Sequence, residues 1–435
     1  MLNDMVQGRK DLKSYIRKSI SSGFLIKIIG LMLGFALQVV LARNFSKSDL
    51  GSYFFLISVS TFVIAFSTFG MNKAALKFVP IKANKNNNNL GYIVRYFSNR
   101  TFIASIILGL ITILSIGILQ SNEITKITGL VMFAFVSICA VSSVSEFYTG
   151  VIQGYKKLAI SLTPTYVIKP ILIITSVFVL GKMNAPKGVD TLLVINAISG
   201  VIAIALLWSI YKKIKVTSKI NSFKDRNEKK QLYVLGMGFQ GILLCNIFLT
   251  QTDSIMIGAI LEPEDVAEYV IALKVANLLT FFLTLSNAAG APVISNLYAS
   301  GDLEQLKMIV RYICRIVVAI TGLVTIVLLI NSDLILSIFG EGYSQSKVIL
   351  NILCIGTFIN CITGPASYLL SLTGHQKEVL VILGVSAVLN VCLNYVLIGS
   401  VGLVGAAIAT CITTIVWNAS LFIIVRKKLG ITSFI

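Results

Sequence analysis

Twelve apolar segments of about 20 residues each dominate this 435-residue chain and limit the folds that it can adopt. A helix of about 20 residues crosses the hydrocarbon core of a bilayer, and helices satisfy their own backbone hydrogen bonds there. Charged residues make up 13% of the chain, about half the usual share in soluble domains. The sequence therefore predicts an all-α polytopic membrane protein with about 12 transmembrane helices. The predicted spans are 20–42, 50–72, 101–120, 127–149, 158–181, 189–211, 232–260, 267–290, 309–330, 344–372, 376–398 and 400–424.

A basic segment from Lys212 to Lys230 separates the first six apolar segments from the last six. It is rich in Lys and Arg and holds only two acidic residues, so it cannot enter lipid. Because Lys and Arg concentrate in cytoplasmic loops, this segment and both termini are predicted to be cytoplasmic, and the net charge of +19 needs no nucleic acid partner. The predicted domains are an N-terminal six-helix lobe over 1–211, a cytoplasmic basic linker over 212–230 and a C-terminal six-helix lobe over 231–435.

Two weak internal repeats connect the halves. The stretch Asp49 to Tyr53 (DLGSY) is similar to Asp265 to Tyr269 (DVAEY), and each precedes or enters an apolar segment. Tyr148 and Tyr368 are each followed six residues later by a glycine. Similar offsets indicate a duplication. Because each half has an even number of spans, the two lobes are predicted to be related by a parallel pseudo-twofold axis along the membrane normal.

Four stretches in order resemble the O-antigen and polysaccharide flippases of the multidrug/oligosaccharidyl-lipid/polysaccharide exporter superfamily. Each stretch alone is a loose match, but their order along the whole chain is fairly specific. They are 42–53 (ARNFSKSDLGSY), 252–274 (starting TDSIMIG), 372–377 (LTGHQK) and 390–394 followed by 402–410 (GLVGAAIAT).

The resemblance implies a transporter of a polysaccharide repeat unit. The expected cargo is an undecaprenyl-diphosphate-linked oligosaccharide of O-antigen or lipopolysaccharide synthesis, moved from the inner to the outer leaflet by alternating access. The implied location is the plasma (inner) membrane of a prokaryote, with membrane lipids and other polysaccharide assembly proteins as partners. No enzymatic activity and no cofactor are expected, and Na⁺ or H⁺ is the candidate coupling ion.

Ionisable residues inside apolar spans are expensive to bury and mark functional positions. The basic ones outnumber the acidic ones, which favours an anionic cargo such as a diphosphate. Lys27, Lys73 and Lys274 are the predicted substrate contacts, together with Arg43 at an outer boundary. Lys27 and Lys73 lie near inner ends of their spans, so the alternative is that they extend to the lipid headgroups. For Arg43 the alternative is an interfacial anchor.

Glu146 and Lys169 form a second set. Counted along their helices, both lie in the middle of the membrane, where Lys169 cannot easily reach the headgroups. The predicted role of these two residues is a structural ion pair inside the first lobe.

Four oxygen-bearing side chains fall in the outer half of the membrane: Asp253, Asn390, Asn394 and Thr410. Asn390 and Asn394 are one turn apart and share a helix face. Such ligands suit a hard cation, so the sequence predicts a sodium site here. The set is similar to a sodium site of lipid II flippases, which carry a second acid where this chain has Asn394. The alternatives are polar contacts between helices or an ion pair of Asp253 with Lys274.

Two other functions compete with the flippase. A multidrug or cation antiporter of the same superfamily would favour an acidic interior, which this chain lacks. A membrane polysaccharide polymerase needs a large charged outer loop, whereas the longest predicted outer loop, 331–344, holds only Asp333 and Glu341. The seven cysteines lie in apolar stretches without a CxxC pair, which indicates no metal or redox role. The chain also has no GxxxxGK[ST] motif, so it carries no phosphate-binding loop of its own for ATP.

Overall fold

The structure is a computed structural model that describes residues 2–84, 90–119, 128–184, 186–214 and 226–431. All regular secondary structure in these ranges is helical. The first ten α-helices are α1 Leu2–Asn44, α2 Lys47–Thr68, α3 Met71–Asn84, α4 Leu90–Leu119, α5 Gly129–Gly154, α6 Leu158–Thr163, α7 Lys169–Lys182, α8 Val189–Ile214, α9 Arg226–Ile260 and α10 Pro263–Ala276. The others are α11 Leu278–Ala299, α12 Leu303–Ile330, α13 Ser332–Ser337, α14 Lys347–Ile362, α15 Ala366–Leu372, α16 Gln376–Val401 and α17 Leu403–Leu429. A π-helical segment, Pro164–Ile168, joins α6 to α7, and a 3-10 segment, Glu341–Ser346, precedes α14.

The number of predicted spans is confirmed for the described residues. Eleven helical segments are long and apolar enough to cross a membrane, and the number is twelve if a bent pair of helices counts as one span. That pair, Pro263–Ala276 and Leu278–Asn287, is bent by 42° where a straight span over 267–290 is predicted. The third span begins at Leu90 instead of 101, because the helix continues through Arg95 and Arg100, whose charges suggested a loop.

Large apolar side chains lie on the outside of the helices. Ile118, Phe133 and Ile330 are 77%, 73% and 75% exposed. A water-soluble protein rarely exposes such side chains in contiguous patches, whereas lipid solvates them. This pattern agrees with the span count, and the chain is a multi-pass membrane protein.

Contacts group the chain into two compact units. Unit 1 comprises Met1–Phe45 and Val59–Leu243, and unit 2 comprises Ser46–Ser58 and Leu244–Ile435. Helices α2 and α9 each contribute to both units. The lobes predicted over 1–211 and 231–435 stay a prediction, and residues 215–225 of the predicted linker lie outside the described residues.

In unit 1, close packing of α3 on α5 depends on two glycines spaced as GxxxG. A Cβ on Gly150 would lie 2.1 Å from the Asn72 carbonyl oxygen, and one on Gly154 would lie 2.9 Å from the Ala75 carbonyl oxygen. Small residues at this spacing let helix backbones approach closely in membranes. The contact sets the position of Asn72 beside α5.

In unit 2, Lys47 at the start of α2 contacts both α10 and the 3-10 segment. Its ammonium forms an ion pair with Glu268 of α10 and donates to the Gly342 carbonyl oxygen at 2.6 Å. Ser346 donates to the other Glu268 oxygen at 3.0 Å. Because the Lys47 and Glu268 side chains are only 26% and 13% exposed, water screens this pair less than a surface pair.

A double-mutant cycle measures the strength of this contact. We expect Lys47→Ala and Glu268→Ala to show a coupling free energy of about 1 kcal/mol in thermal unfolding. The control is the pair of Glu304 with Lys307 on α12, where Glu304 is 87% exposed and the expected coupling is at most about 0.5 kcal/mol. Equal coupling in both cycles contradicts a stabilising role for Lys47.

Candidate functional site

Asp253 is the centre of a buried polar cluster in unit 2. It lies on α9 and is 2% exposed. Its Oδ2 accepts hydrogen bonds from the Thr410 hydroxyl of α17 at 2.6 Å and from the Tyr269 hydroxyl of α10 at 2.7 Å. Its Oδ1 accepts from Asn394 Nδ2 at 2.7 Å and from Asn390 Nδ2 at 3.3 Å, both of α16. One carboxylate therefore connects four helices.

Two acceptors of this cluster have no hydrogen-bond partner among the residues that the structure describes. The Oδ1 atoms of Asn390 and Asn394 are buried and unpaired. The two residues are four apart on α16, and Asn394 Nδ2 also donates to the Asn390 carbonyl oxygen at 2.9 Å. Buried polar atoms are usually satisfied, so unpaired oxygens beside a carboxylate fit oxygen ligands of a cation. The spatial arrangement of the predicted set is present, while its cation-binding role stays a prediction.

Tyr269 also belongs to this cluster, although the sequence pattern did not predict it. Its ring is fully buried, and its hydroxyl lies 2.7 Å from Asp253 Oδ2 and 3.2 Å from Thr410 Oγ1. The sequence feature that could have identified it is the repeated pentapeptide 265–269, whose last residue is Tyr269. The alternative ion pair of Asp253 with Lys274 is absent, since Lys274 forms no hydrogen bond or ion pair with the described residues.

Unit 1 contains a cavity of about 390 Å³ with a polar wall. Asn72, Lys73, Glu146 and Lys169 line it, on helices α3, α5 and α7. Asn72 Nδ2 donates to Glu146 Oε2 at 3.1 Å, and Lys73 has a favourable Coulombic interaction with the same carboxylate. Glu146 is deep within the protein yet accessible to solvent, because it faces this cavity.

The structure shows no ion pair between Glu146 and Lys169, so the structural role predicted for the two residues stays a prediction. Both side chains line the cavity, but among the described residues Lys169 forms neither a hydrogen bond nor an ion pair. Residue counts along their helices place them at similar depth, but depth does not determine the face of a helix from which a side chain projects. The π-helical turn directly before Lys169 changes the helical phase, which periodicity in the sequence cannot reveal.

The other predicted substrate contacts are not among the residues that line this cavity. Lys27 is exposed on α1, and Arg43 is exposed in the last turn of the same helix. Lys274 is exposed on α10 of unit 2. Of the four predicted contacts, only Lys73 lines the unit 1 cavity. The substrate-binding role of all four stays a prediction.

Comparison of the sequence with known families gives two matches. A family model described as "Polysaccharide biosynthesis protein" matches residues 16–298, and one described as "MatE" matches residues 241–396. The chain is 26% identical over 246 residues to "Probable low-salt glycan biosynthesis flippase Agl15" of Haloferax volcanii. This alignment covers 54% of the chain and 49% of that relative, so the chain spans about half the length of the curated relative that it matches.

Solved transporters have the same fold. An inward-facing multidrug resistance MATE family transporter of the MOP superfamily is 15% identical, with coverage of 92% of this chain and 94% of that chain and a TM-score of 0.71. "Lipid II flippase MurJ", in an inward closed conformation, is 17% identical, with coverage of 92% and 87% and a TM-score of 0.71. These likenesses confirm the predicted all-α, multi-helix membrane fold.

Proposed function

Because the chain belongs to the polysaccharide biosynthesis protein family, we propose that it is a flippase of a lipid-linked oligosaccharide. Its cargo is an undecaprenyl-diphosphate-linked repeat unit of the O-antigen or lipopolysaccharide type, which crosses from the inner to the outer leaflet by alternating access. It acts in a prokaryotic plasma membrane with both termini in the cytoplasm. Membrane lipids surround it, and other polysaccharide assembly proteins supply and receive the cargo.

The observation that carries this proposal is the presence of uncompensated lysines inside membrane spans. Lys169 and Lys274 form no hydrogen bond or ion pair with the described residues. An unpaired charge in a membrane-spanning helix is costly, and an anionic ligand removes that cost. A diphosphate provides about two negative charges, and the ammonium group of Lys274 is a suitable point-charge partner for it.

A coupling ion is the second part of the proposal. The Asp253 cluster is the candidate Na⁺ or H⁺ site. A half-turn of each amide side chain exchanges its nitrogen and oxygen. Asn390 and Asn394 can therefore donate to Asp253, as they do in the structure, or present oxygens together with it. An Asp carboxylate, two amide oxygens and the Thr410 hydroxyl suit a hard cation.

A multidrug or cation antiporter is the second candidate function, favoured by the match of the MatE family model to residues 241–396. The two candidates differ in the charge that the interior must accept. A cationic drug needs unpaired carboxylates. The carboxylates of Glu146 and Asp253, each deep in a membrane span, instead accept hydrogen bonds from neighbouring side chains.

Lys274 provides the test of the function. In proteoliposomes with an undecaprenyl-diphosphate-linked disaccharide, we expect Lys274→Ala to lower the initial flipping rate by about tenfold, as loss of one charge-assisted contact implies. Lys274→Arg should recover part of the rate, because charge matters more than shape for this contact. Flipping is measured as access of the sugar to an external lectin.

The matched control is Lys182→Ala, which removes an exposed lysine at the end of α7. It should leave the rate unchanged. Wild-type protein that exports a cationic dye but does not flip the lipid-linked disaccharide identifies the antiporter instead.

A further inference from the structure

Lys169 has a positive charge that no described residue neutralises, and it lies directly after an irregular turn of the helix. It is the first residue of α7, directly after the π-helical segment Pro164–Ile168, and Pro170 follows it. π-Helical turns inside α-helices are frequently found at functional sites. The side chain of Lys169 lines the unit 1 cavity, and no described residue neutralises it.

The other charges of the cavity compensate each other. Glu146 accepts a hydrogen bond from Asn72 and interacts with Lys73. The cavity therefore has one net positive charge, supplied by Lys169, beside one carboxylate that can still accept hydrogen bonds. A single carboxylate matches this net charge, whereas a diphosphate with about two negative charges exceeds it, and Glu146 can accept a hydrogen bond from a sugar hydroxyl.

The rest of the polar wall consists of hydroxyl and amide side chains, which both donate and accept hydrogen bonds. At about 390 Å³ the cavity lies within the usual size range of small-molecule sites. Besides Asn72, its neutral polar lining is Ser142, Ser145, Thr149, Gln153, Thr165 and Tyr166.

We propose that this cavity binds an acidic sugar of the glycan, with Lys169 donating to the sugar carboxylate and Glu146 accepting from a sugar hydroxyl. The inference rests on the proposed function, since it names the class of glycan that the flippase carries. Lys169 then selects a glycan that contains a uronic acid over its neutral counterpart.

Two disaccharides that differ only at C6 of one sugar test this inference. One contains glucuronic acid, the other glucose, and each is titrated calorimetrically into the purified full-length protein in detergent. We expect wild-type protein to bind the acidic disaccharide about tenfold more tightly. Lys169→Met should bind the two equally, Lys169→Arg should keep most of the preference, and the control Lys182→Met should keep all of it. Lys169→Gln provides a second neutral variant if Lys169→Met is not monodisperse.

Three results overturn the inference. These are equal affinities in wild-type protein, a preference that persists in both neutral variants, and displacement of the acidic disaccharide by undecaprenyl diphosphate without sugar. Because the titration involves no transport, its outcome is independent of the flipping assay. If the protein prefers the acidic disaccharide but does not flip the lipid-linked one, the proposed function is wrong and this site stands. If it flips without such a preference, only this site is wrong.

Discussion

Replacement of Asp253 by alanine is expected to lower the free energy of unfolding by about 3–5 kcal/mol and to abolish transport. The carboxylate accepts hydrogen bonds from four side chains, on α10, α16 and α17. Its removal takes one acceptor from each of four donors, and every buried polar group left unsatisfied costs about 1–3 kcal/mol. The measurement is thermal or denaturant unfolding of the purified protein in detergent.

Asp253→Asn separates the structural role from the ionic one. The amide keeps the shape and part of the hydrogen bonding but not the charge, so we expect a smaller loss of stability. Wild-type protein should be stabilised by NaCl relative to an equal concentration of choline chloride, because a ligand that binds the folded state stabilises it. Asp253→Asn should lose this difference.

The control for both variants is Asp333→Ala. Asp333 pairs with Lys347, and its side chain is 60% exposed, so its removal should change stability by less than about 1 kcal/mol. An unchanged sodium response in Asp253→Asn shows that the ion binds elsewhere. The four neighbours of Asp253 are then polar contacts between helices.

How much of this cluster the sequence can predict depends on residue type and helical phase. Asp253, Asn390, Asn394 and Thr410 are polar residues at similar depths in apolar spans, and two of them share a helix face by spacing alone. Tyr269 lacks this polar signal, because a tyrosine in an apolar helix is common and only its hydroxyl joins the cluster, and the repeated pentapeptide that ends at Tyr269 does not indicate a polar contact. The sequence could therefore predict that the four strongly polar residues lie together, but not that the Tyr269 hydroxyl joins them.

The unit 1 cavity shows where such reasoning fails. Counting residues places Glu146 and Lys169 at similar depth, but contact also requires that their helix faces meet. The π-helical turn shifts the phase of α7, and the partner that donates to Glu146 is Asn72, from a helix close to α5 at Gly150. Backbone irregularities of this kind arise from tertiary packing. The sequence contains only their markers, Pro164 and Pro170.

The second large effect on stability is expected at Gly51. The sequence identified this residue as part of a motif but did not show its physical role. It is the centre of the pentapeptide from Asp49 to Tyr53 that carries part of the family resemblance. In the structure a Cβ at Gly51 would lie 1.6 Å from the Pro263 carbonyl oxygen and 2.5 Å from its carbon. Both atoms belong to the backbone at the start of α10, so no side-chain rotation relieves the clash.

We therefore expect Gly51→Ala to destabilise the protein by about 3 kcal/mol, at the upper end of the range for overpacking, and to reduce its yield in the membrane. The matched control is Gly34→Ala in α1, where the added Cβ meets no atom within 4 Å. Since alanine favours a helix over glycine by about 1 kcal/mol, this control should be neutral or slightly stabilising. The two substitutions add the same single carbon to an apolar helix. A loss of stability in Gly51→Ala alone therefore identifies the contact of α2 with α10 as its cause. Equal effects on the unfolding temperature mean that helix propensity decides the outcome and that α10 moves aside at little cost.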